Sequence, residues 1–398
     1  MRPLLLAAGL LALVACRAPE AGSAPLKIGS YGPLSGPAAS WGVMLRGMEA
    51  YIDFVNANGG VHGRKLAFVY RDDQYNAAKT PLAVRDLVER EGVFAMVGGI
   101  GTANGRAVAD YLAERKVPFF TPASGAAIFT DPPRENIYSV YPRYDTEGRI
   151  IGRHLAGTLG LKRVAVLHQS DDFGAQGAAG LAEGLASAGG ELVLKVACQA
   201  SDTDVSGQVS RVVEAAPEAL VIFTAPRPAV LAVQRLHALG NKPQIVTSFV
   251  LSDAVMFQLA GADVWEGTLT TSARVLANSD DPAAVQYRDV LKRHAPDLPV
   301  GNFTVSGFAF AQPFVEALDR AGPDPTPEKV YAALRTFHDW AGGGPYWKGD
   351  GVNPPLTFSD TRHLGHDRLF FAQAENGRWR RVTAWLSEDS EPTTPNKE

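Results

Sequence analysis

The stretch Phe94-Ala95-Met96-Val97-Gly98-Gly99-Ile100-Gly101-Thr102-Ala103-Asn104 decides the fold class. Phe94 to Val97 is a short apolar run that reads as a buried strand, and a glycine-rich turn follows it. Ala103 to Arg115 then carries helical apolar spacing, and Val117 to Thr121 is a second strand-like run. Strand, helix and strand in about thirty residues make a βαβ unit with parallel strands.

Working outward, the same rhythm repeats. Leu26 to Gly29 reads as a strand, Trp41 to Asn58 as a helix, Lys65 to Tyr70 as a strand, and Asn76 to Glu91 as a helix capped by Asn76. Beyond Asp145 it restarts. Helices are predicted at Gly148–Leu161, Phe173–Ala188, Val205–Ala215 and Pro228–Leu239. Strands are predicted at Arg163–His168, Leu192–Val196, Ala219–Phe223 and Gln244–Thr247. Two such series imply an α/β protein of two doubly wound parallel-sheet lobes. The last third breaks the rhythm. Pro282–His294, Val305–Ala321 and Pro327–Phe337 are helical, and a hairpin folds around Glu375-Asn376-Gly377. The polar tail 387–398 reads as disordered.

Composition narrows the function classes. The chain has 398 residues, 46% hydrophobic and 20% charged, enough apolar side chain to exclude disorder for most of its length. The net charge of -4 supplies no basic excess for phosphate neutralisation, so nucleic acid is not an expected partner. Only the N-terminus is unusual. Arg2 precedes the apolar run Leu4 to Val14, too short to span a bilayer and right for a secretory signal. It ends Leu13-Val14-Ala15-Cys16, which looks like the lipobox of bacterial lipoproteins. That reading makes 1–15 a signal peptide, Cys16 the lipidated first mature residue, and 16–25 anchor and tether. An ordinary cleaved signal with a chance cysteine is the alternative. The other cysteine, Cys198, follows an apolar strand and reads as a core residue.

Catalytic signatures are missing. Gly99 and Gly101 supply the first two glycines of a dinucleotide loop, but Asn104 stands where the third belongs. The sequence has no G-x-S-x-G elbow, phosphate loop, H-E-x-x-H or paired C-x-x-C. His363, His366 and Asp367 are flanked by Arg362, Gly365 and Arg368 and read as a solvated connection; no metal or cofactor is expected. Asp72-Asp73 and Asp280-Asp281 read as capping pairs. What remains is a pair of polar turns at strand C-terminal ends, where open α/β sheets bind ligands. Gly98 to Asn104, with Thr102, leads into a helix N-terminus; Pro122-Ala123-Ser124-Gly125 repeats the chemistry. They are either one carboxylate site or simply well-capped helices.

At these residues the chain resembles the type I periplasmic solute-binding proteins of ABC transporters, the branched-chain amino acid-binding group. The likeness runs from about Leu26 to Val382. It is carried by Gly29-Ser30-Tyr31-Gly32-Pro33-Leu34-Ser35-Gly36-Pro37, Trp41-Gly42, and Asn56-Ala57-Asn58-Gly59-Gly60-Val61-His62-Gly63-Arg64-Lys65. Asp72-Asp73-Gln74, Val97-Gly98-Gly99, Lys116-Val117-Pro118, Phe173-Gly174, Leu259-Ala260-Gly261 and Glu266-Gly267 continue it. The resemblance implies two lobes joined by a three-stranded hinge, with lobe one at 26–144 and 273–364 and lobe two at 145–272 and 365–386. It implies a monomeric, non-enzymatic receptor that closes on a small solute and hands it to ABC permease subunits. It further implies a ligand carboxylate held by Gly101, Thr102, Ser124 and Gly125, with Trp41 and Phe173 as aromatic walls.

Three departures bear on the solute. Amino-acid-binding members use an acidic residue of lobe two for the ligand ammonium, and Phe249 aligns there. Tyr144 falls where an acidic residue often opens lobe two, one position before Asp145. The turn beginning at Thr224 lacks the usual tyrosine. A buried ammonium without a carboxylate costs several kcal/mol, against ~8 kcal/mol for micromolar binding. The expected solute is therefore a carboxylate with an apolar or aromatic body, and not necessarily an amino acid. A sensing subunit of a signalling system stays open as the alternative; an exported α/β enzyme would need a nucleophile or metal that the motifs do not supply.

Overall fold

The computed structural model describes residues 24–390. The leader 1–15, the lipidation candidate Cys16, most of the tether and residues 391–398 lie outside the described residues. Two sheets organise the chain. The first is β2-β1-β3-β4-β5, built from Leu26–Gly32 (β1), Leu66–Asp72 (β2), Ala95–Val97 (β3), Phe119–Phe120 (β4) and Ile137–Tyr138 (β5). All its pairings are parallel.

The second sheet takes Arg163–Gln169 (β6), Glu191–Cys198 (β7), Ala219–Phe223 (β8), Gln244–Thr247 (β9), Leu269–Ser272 (β10), Phe370–Glu375 (β11) and Arg378–Arg381 (β12). Their order is β12-β11-β10-β9-β8-β6-β7. β6 to β10 run parallel and the hairpin β11-β12 adds antiparallel. β8 is buried along its whole length, as a strand with helices over both faces must be. Asn376 and Gly377 both have positive φ and close the hairpin in two residues.

The helices of the last third, Pro282–His294 and Asn302–Ala321, pack on Val43–Ala57 of the first lobe. The chain therefore crosses between lobes near residues 139–143, 273–275 and 363–368. Two helices differ from their sequence reading. The one predicted from Asn76 begins at Thr80, because Asn76 spends its side chain on the Ala78 N–H and Asp73 draws in the Thr80 hydroxyl. The one predicted from Gly148 begins at Tyr144, since Asp145 and Glu147 suit a first turn. Of the tail, Ser387 to Ser390 forms a turn, with Glu388 ion-paired to Arg149.

One packing detail positions the site. The helices Tyr144–Arg153 and Asp172–Ser187 meet at glycines, closely enough that a Cβ on Gly148 would lie 2.3 Å from the Gly177 carbonyl oxygen. That approach brings the first residues of both helices together, with Tyr144 and Phe173 ring centres 4.6 Å apart.

Candidate functional site

The C-terminal ends of β1, β3 and β4 face those of β6 and β9 across an interlobe cavity. Trp41, Met44, Tyr75, Ile100, Gly101, Ala123 and Tyr141 line it from the first lobe and its crossover; Tyr144, Phe173 and Val250 line it from the second. No acidic or basic side chain is among these residues. The lobes are closed tightly, leaving about 20 Å³ open to the centre of a water-sized body, room for about one water.

Two polar turns lie beside the cavity. After β3 the backbone reverses at Gly101, φ 111°, where a Cβ would lie 2.4 Å from the Asn104 Oδ1. No side chain caps the helix Thr102–Glu114 that starts there. Its first N–H groups therefore lack a side-chain acceptor and form the positive end of a helix dipole. After β4, Ser124 comes to 2.7 Å from the Thr102 hydroxyl. Gly125 accepts the Tyr144 N–H at 3.0 Å, and a Cβ there would strike the Pro142 carbonyl oxygen at 2.1 Å. Burial pushes the Tyr144 phenol up to about 12, against hydrogen bonding with Thr102, Gly125 and Ser124. It is thus neutral at pH 7. The set is N–H and hydroxyl donors without a formal charge, suited to a carboxylate.

The walls are aromatic. Trp41 meets Tyr75 edge-on at 5.3 Å. Phe249 stacks on Tyr144 at 6.3 Å and meets Tyr141 at 5.0 Å, from behind the lining. Several contacts bridge the lobes around the cleft. Trp41 Nε1 donates to the Val250 carbonyl at 3.0 Å, Gln169 Nε2 to the Tyr75 hydroxyl at 3.3 Å, and the Ala127 N–H to Gln176 Oε1 at 2.9 Å. The exposed pair Arg106–Asp172 closes the rim at 2.7 Å.

Of the sequence candidates, Trp41, Gly101, Tyr144 and Phe173 line the cavity. Thr102, Ser124 and Gly125 are not among the lining residues; they lie behind Tyr144, whose phenol hydrogen-bonds with Thr102 and Ser124. Phe249 supports the lining without entering it. Thr224 lies elsewhere: it is fully buried, its hydroxyl 3.4 Å from Cys198 Sγ inside the second lobe.

Sequence reasoning missed Tyr75, Tyr141 and Asp171. Tyr75 is held at φ 56° by Asp73, which accepts its N–H; the acidic pair was visible, the tyrosine it orients was not. Asp171 caps the helix that begins at Asp172 and accepts from Gln169 Nε2 at 2.7 Å. Burial raises its pKa, and its charge reaches Tyr75 and Tyr144.

The comparisons with known proteins follow this geometry. A family model described as periplasmic binding protein matches residues 25–378. The chain belongs to the periplasmic binding protein family. Members are non-enzymatic receptors. The chain is 25% identical over 361 residues to the Leu/Ile/Val-binding protein homolog 3 of Brucella melitensis, covering 90% of this chain and 94% of that one. It is 26% identical, with a TM-score of 0.82, to a substrate-binding periplasmic protein of Ralstonia solanacearum, covering 89% and 99%. A solute-binding protein of an R. palustris ABC transporter, solved with benzoate, shares the fold at 19% identity and a TM-score of 0.80, covering 92% and 98%. This binding-protein fold has its two parallel-sheet lobes around the aromatic cleft described above.

Proposed function

We propose that the protein is the extracytoplasmic receptor of an ABC uptake system and captures a small carboxylate with an apolar or aromatic body. The observation that carries this reading is the cleft itself. Its lining is mostly aromatic and apolar with no acid in it, it includes Gly101 at an uncapped helix N-terminus, and the Thr102–Ser124 hydroxyl pair stands behind Tyr144. The solute carboxylate accepts from Thr102, Ser124 and the N–H groups around Gly101 and Gly125; the body lies against Trp41, Tyr144 and Phe173, backed by Phe249. The lobes open to admit the solute and close through the Trp41, Tyr75 and Arg106 contacts. The closed form is what permease subunits receive. The leader and Cys16 support export and lipid anchoring to the cell envelope, and the protein acts as a monomer.

The related protein solved with benzoate supports an aromatic acid. A branched-chain amino acid is the second reading. It is favoured by the name of the Brucella relative and by Asp171, whose carboxylate stands within electrostatic reach of Tyr144. Calorimetric titration with benzoate, isovalerate, valine and leucine separates the two. The first reading expects micromolar binding of a simple acid. Valine or leucine binding alone, abolished by Asp171→Asn, would establish the second. Native mass spectrometry of the protein as purified identifies any co-purified solute independently.

A further inference from the structure

The segment Ser248 to Asp253, just after β9, touches the first lobe at more than the cavity wall. Glu147 fixes it in the second lobe, accepting from the Ser248 hydroxyl and the Phe249 N–H. Val250 lines the cavity, and its carbonyl accepts from Trp41. Two residues on, the Ser252 carbonyl accepts from Asn302 Nδ2 at 2.6 Å. Asp253 Oδ2 then accepts the Phe303 N–H at 2.6 Å, while Oδ1 accepts the Val255 N–H of its own lobe at 2.8 Å.

Asn302 and Phe303 open the helix Asn302–Ala321, which packs on Val43–Ala57 of the first lobe. The first N–H groups of a helix have no partner within it, and a short polar side chain just before the helix usually accepts one. Here that position holds Gly301, which has no side chain to offer. The Asp253 carboxylate takes the place, from 50 residues earlier in the chain and from the opposite lobe. Glycine is also what admits it, since a Cβ on Gly301 would lie 2.5 Å from Asp253 Oδ2. The backbone there is extended, so clearance is the whole of that glycine's role.

Asp253 is 6% exposed. Burial raises its pKa, opposed by the N–H groups of Phe303, Val255 and Asn302. Both oxygens accept N–H groups, which favours the ionised form, and its charge meets the positive end of a 20-residue helix. The exposed rim pair Arg106–Asp172 is screened by solvent; this contact is shielded from it.

We propose that Asp253 is a positioning residue for closure, capping a helix of the opposite lobe only when the lobes are shut and so setting how long the closed form lasts. The proposal rests on the reading of the chain as a receptor that closes on a solute. Asp253 is not among the cavity-lining residues and acts through the turn that carries Val250. A solute packed against Val250 and a carboxylate seated on the Asn302 helix thus belong to one movement.

Two arms test this, and the first uses no solute. Gly301→Ala adds one methyl group against the carboxylate; Asp253→Asn keeps the shape and removes the charge and one acceptor. Hydrogen exchange is followed at two amides. The Phe303 N–H reports the cap, and the Ala127 N–H reports a separate contact between the lobes, its bond to Gln176. Both should exchange about tenfold or more faster in each variant, the loss of a hydrogen bond to a charged group. A cap serving only the local fold would free Phe303 and leave Ala127 unchanged, and that result overturns the proposal. Unchanged exchange at both amides overturns it too. In the second arm, whichever of benzoate and valine binds the wild type should leave each variant about tenfold or more faster, with association within about twofold. Release at the wild-type rate from both variants would overturn the proposal. If neither acid binds the wild type, the reading of the cleft fails and the exchange arm alone decides the role of Asp253. Should one variant fail to fold, the other carries both arms.

Discussion

The hydroxyls of Thr102 and Ser124 lie 2.7 Å apart, joining the turns after β3 and β4 at the foot of the cleft. Both side chains are almost wholly buried, so each has a paired donor or acceptor to redirect when a carboxylate arrives. Thr102→Val and Ser124→Ala are each expected to weaken solute binding about tenfold to a hundredfold, the loss of one hydrogen bond to a charged group. Calorimetry with the solute identified for the wild type measures this. Unchanged affinity in both variants would remove the pair from the site.

Trp41 reaches across the cleft to the Val250 carbonyl at 3.0 Å. Trp41→Phe keeps an aromatic wall and loses only this donor and some ring area. A net hydrogen bond is worth about 1 kcal/mol, so the variant should bind about fivefold more weakly, mainly through faster dissociation. Stopped-flow dissociation rates check it, and a change confined to association would argue against a closing contact.

The rim pair Arg106–Asp172 also bridges the lobes, but its side chains are 59% and 40% exposed. Solvent and salt screen such pairs, whose worth is about 0.2–1 kcal/mol. Arg106→Ala should therefore change affinity less than about fivefold at low salt and not at all in molar salt. Titrations at two ionic strengths measure both numbers.

The interlobe geometry was the least legible part of the sequence. The alternation around Phe94–Thr121 pointed to parallel sheets, and the glycine-rich turn after β3 pointed to Gly101 on the cavity wall, because both rest on short-range patterns. Tyr75 and Tyr141 did not announce themselves. Each enters the cavity through a tight turn or a two-residue strand, too short to carry a period. Thr224 shows the converse: a polar residue at a strand end whose side chain turns inward to Cys198.

Glu147 gives the chain a pH signature. It is fully buried in the first turn of the helix Tyr144–Arg153, accepting from the Ser248 hydroxyl and the Phe249 N–H, each at 2.8 Å, and from Thr271. Burial raises its pKa to about 7, against those hydrogen bonds. Folding therefore favours the protonated acid. Its contribution is fully present below the unfolded value near 4.5 and is lost as pH rises through about 7. The span is worth up to about 3 kcal/mol. Glu147→Gln keeps the three contacts with the Ser248 hydroxyl turned to accept, and should lack this decline. His154 and His366, lowered by burial to about 4 and about 3, act with the opposite sign and are common to both proteins. Urea midpoints at pH 5 and pH 8 isolate the difference; parallel pH profiles for the two proteins would contradict it.

The central claim is that this cleft holds a carboxylate with an apolar body and needs no ammonium partner. Calorimetric titration of the protein freed of residues 1–16 with benzoate and valine, side by side, tests it most directly. Micromolar binding of benzoate, weakened at least about tenfold by Thr102→Val, is the expected result. Tight binding of valine with no heat from benzoate would contradict it.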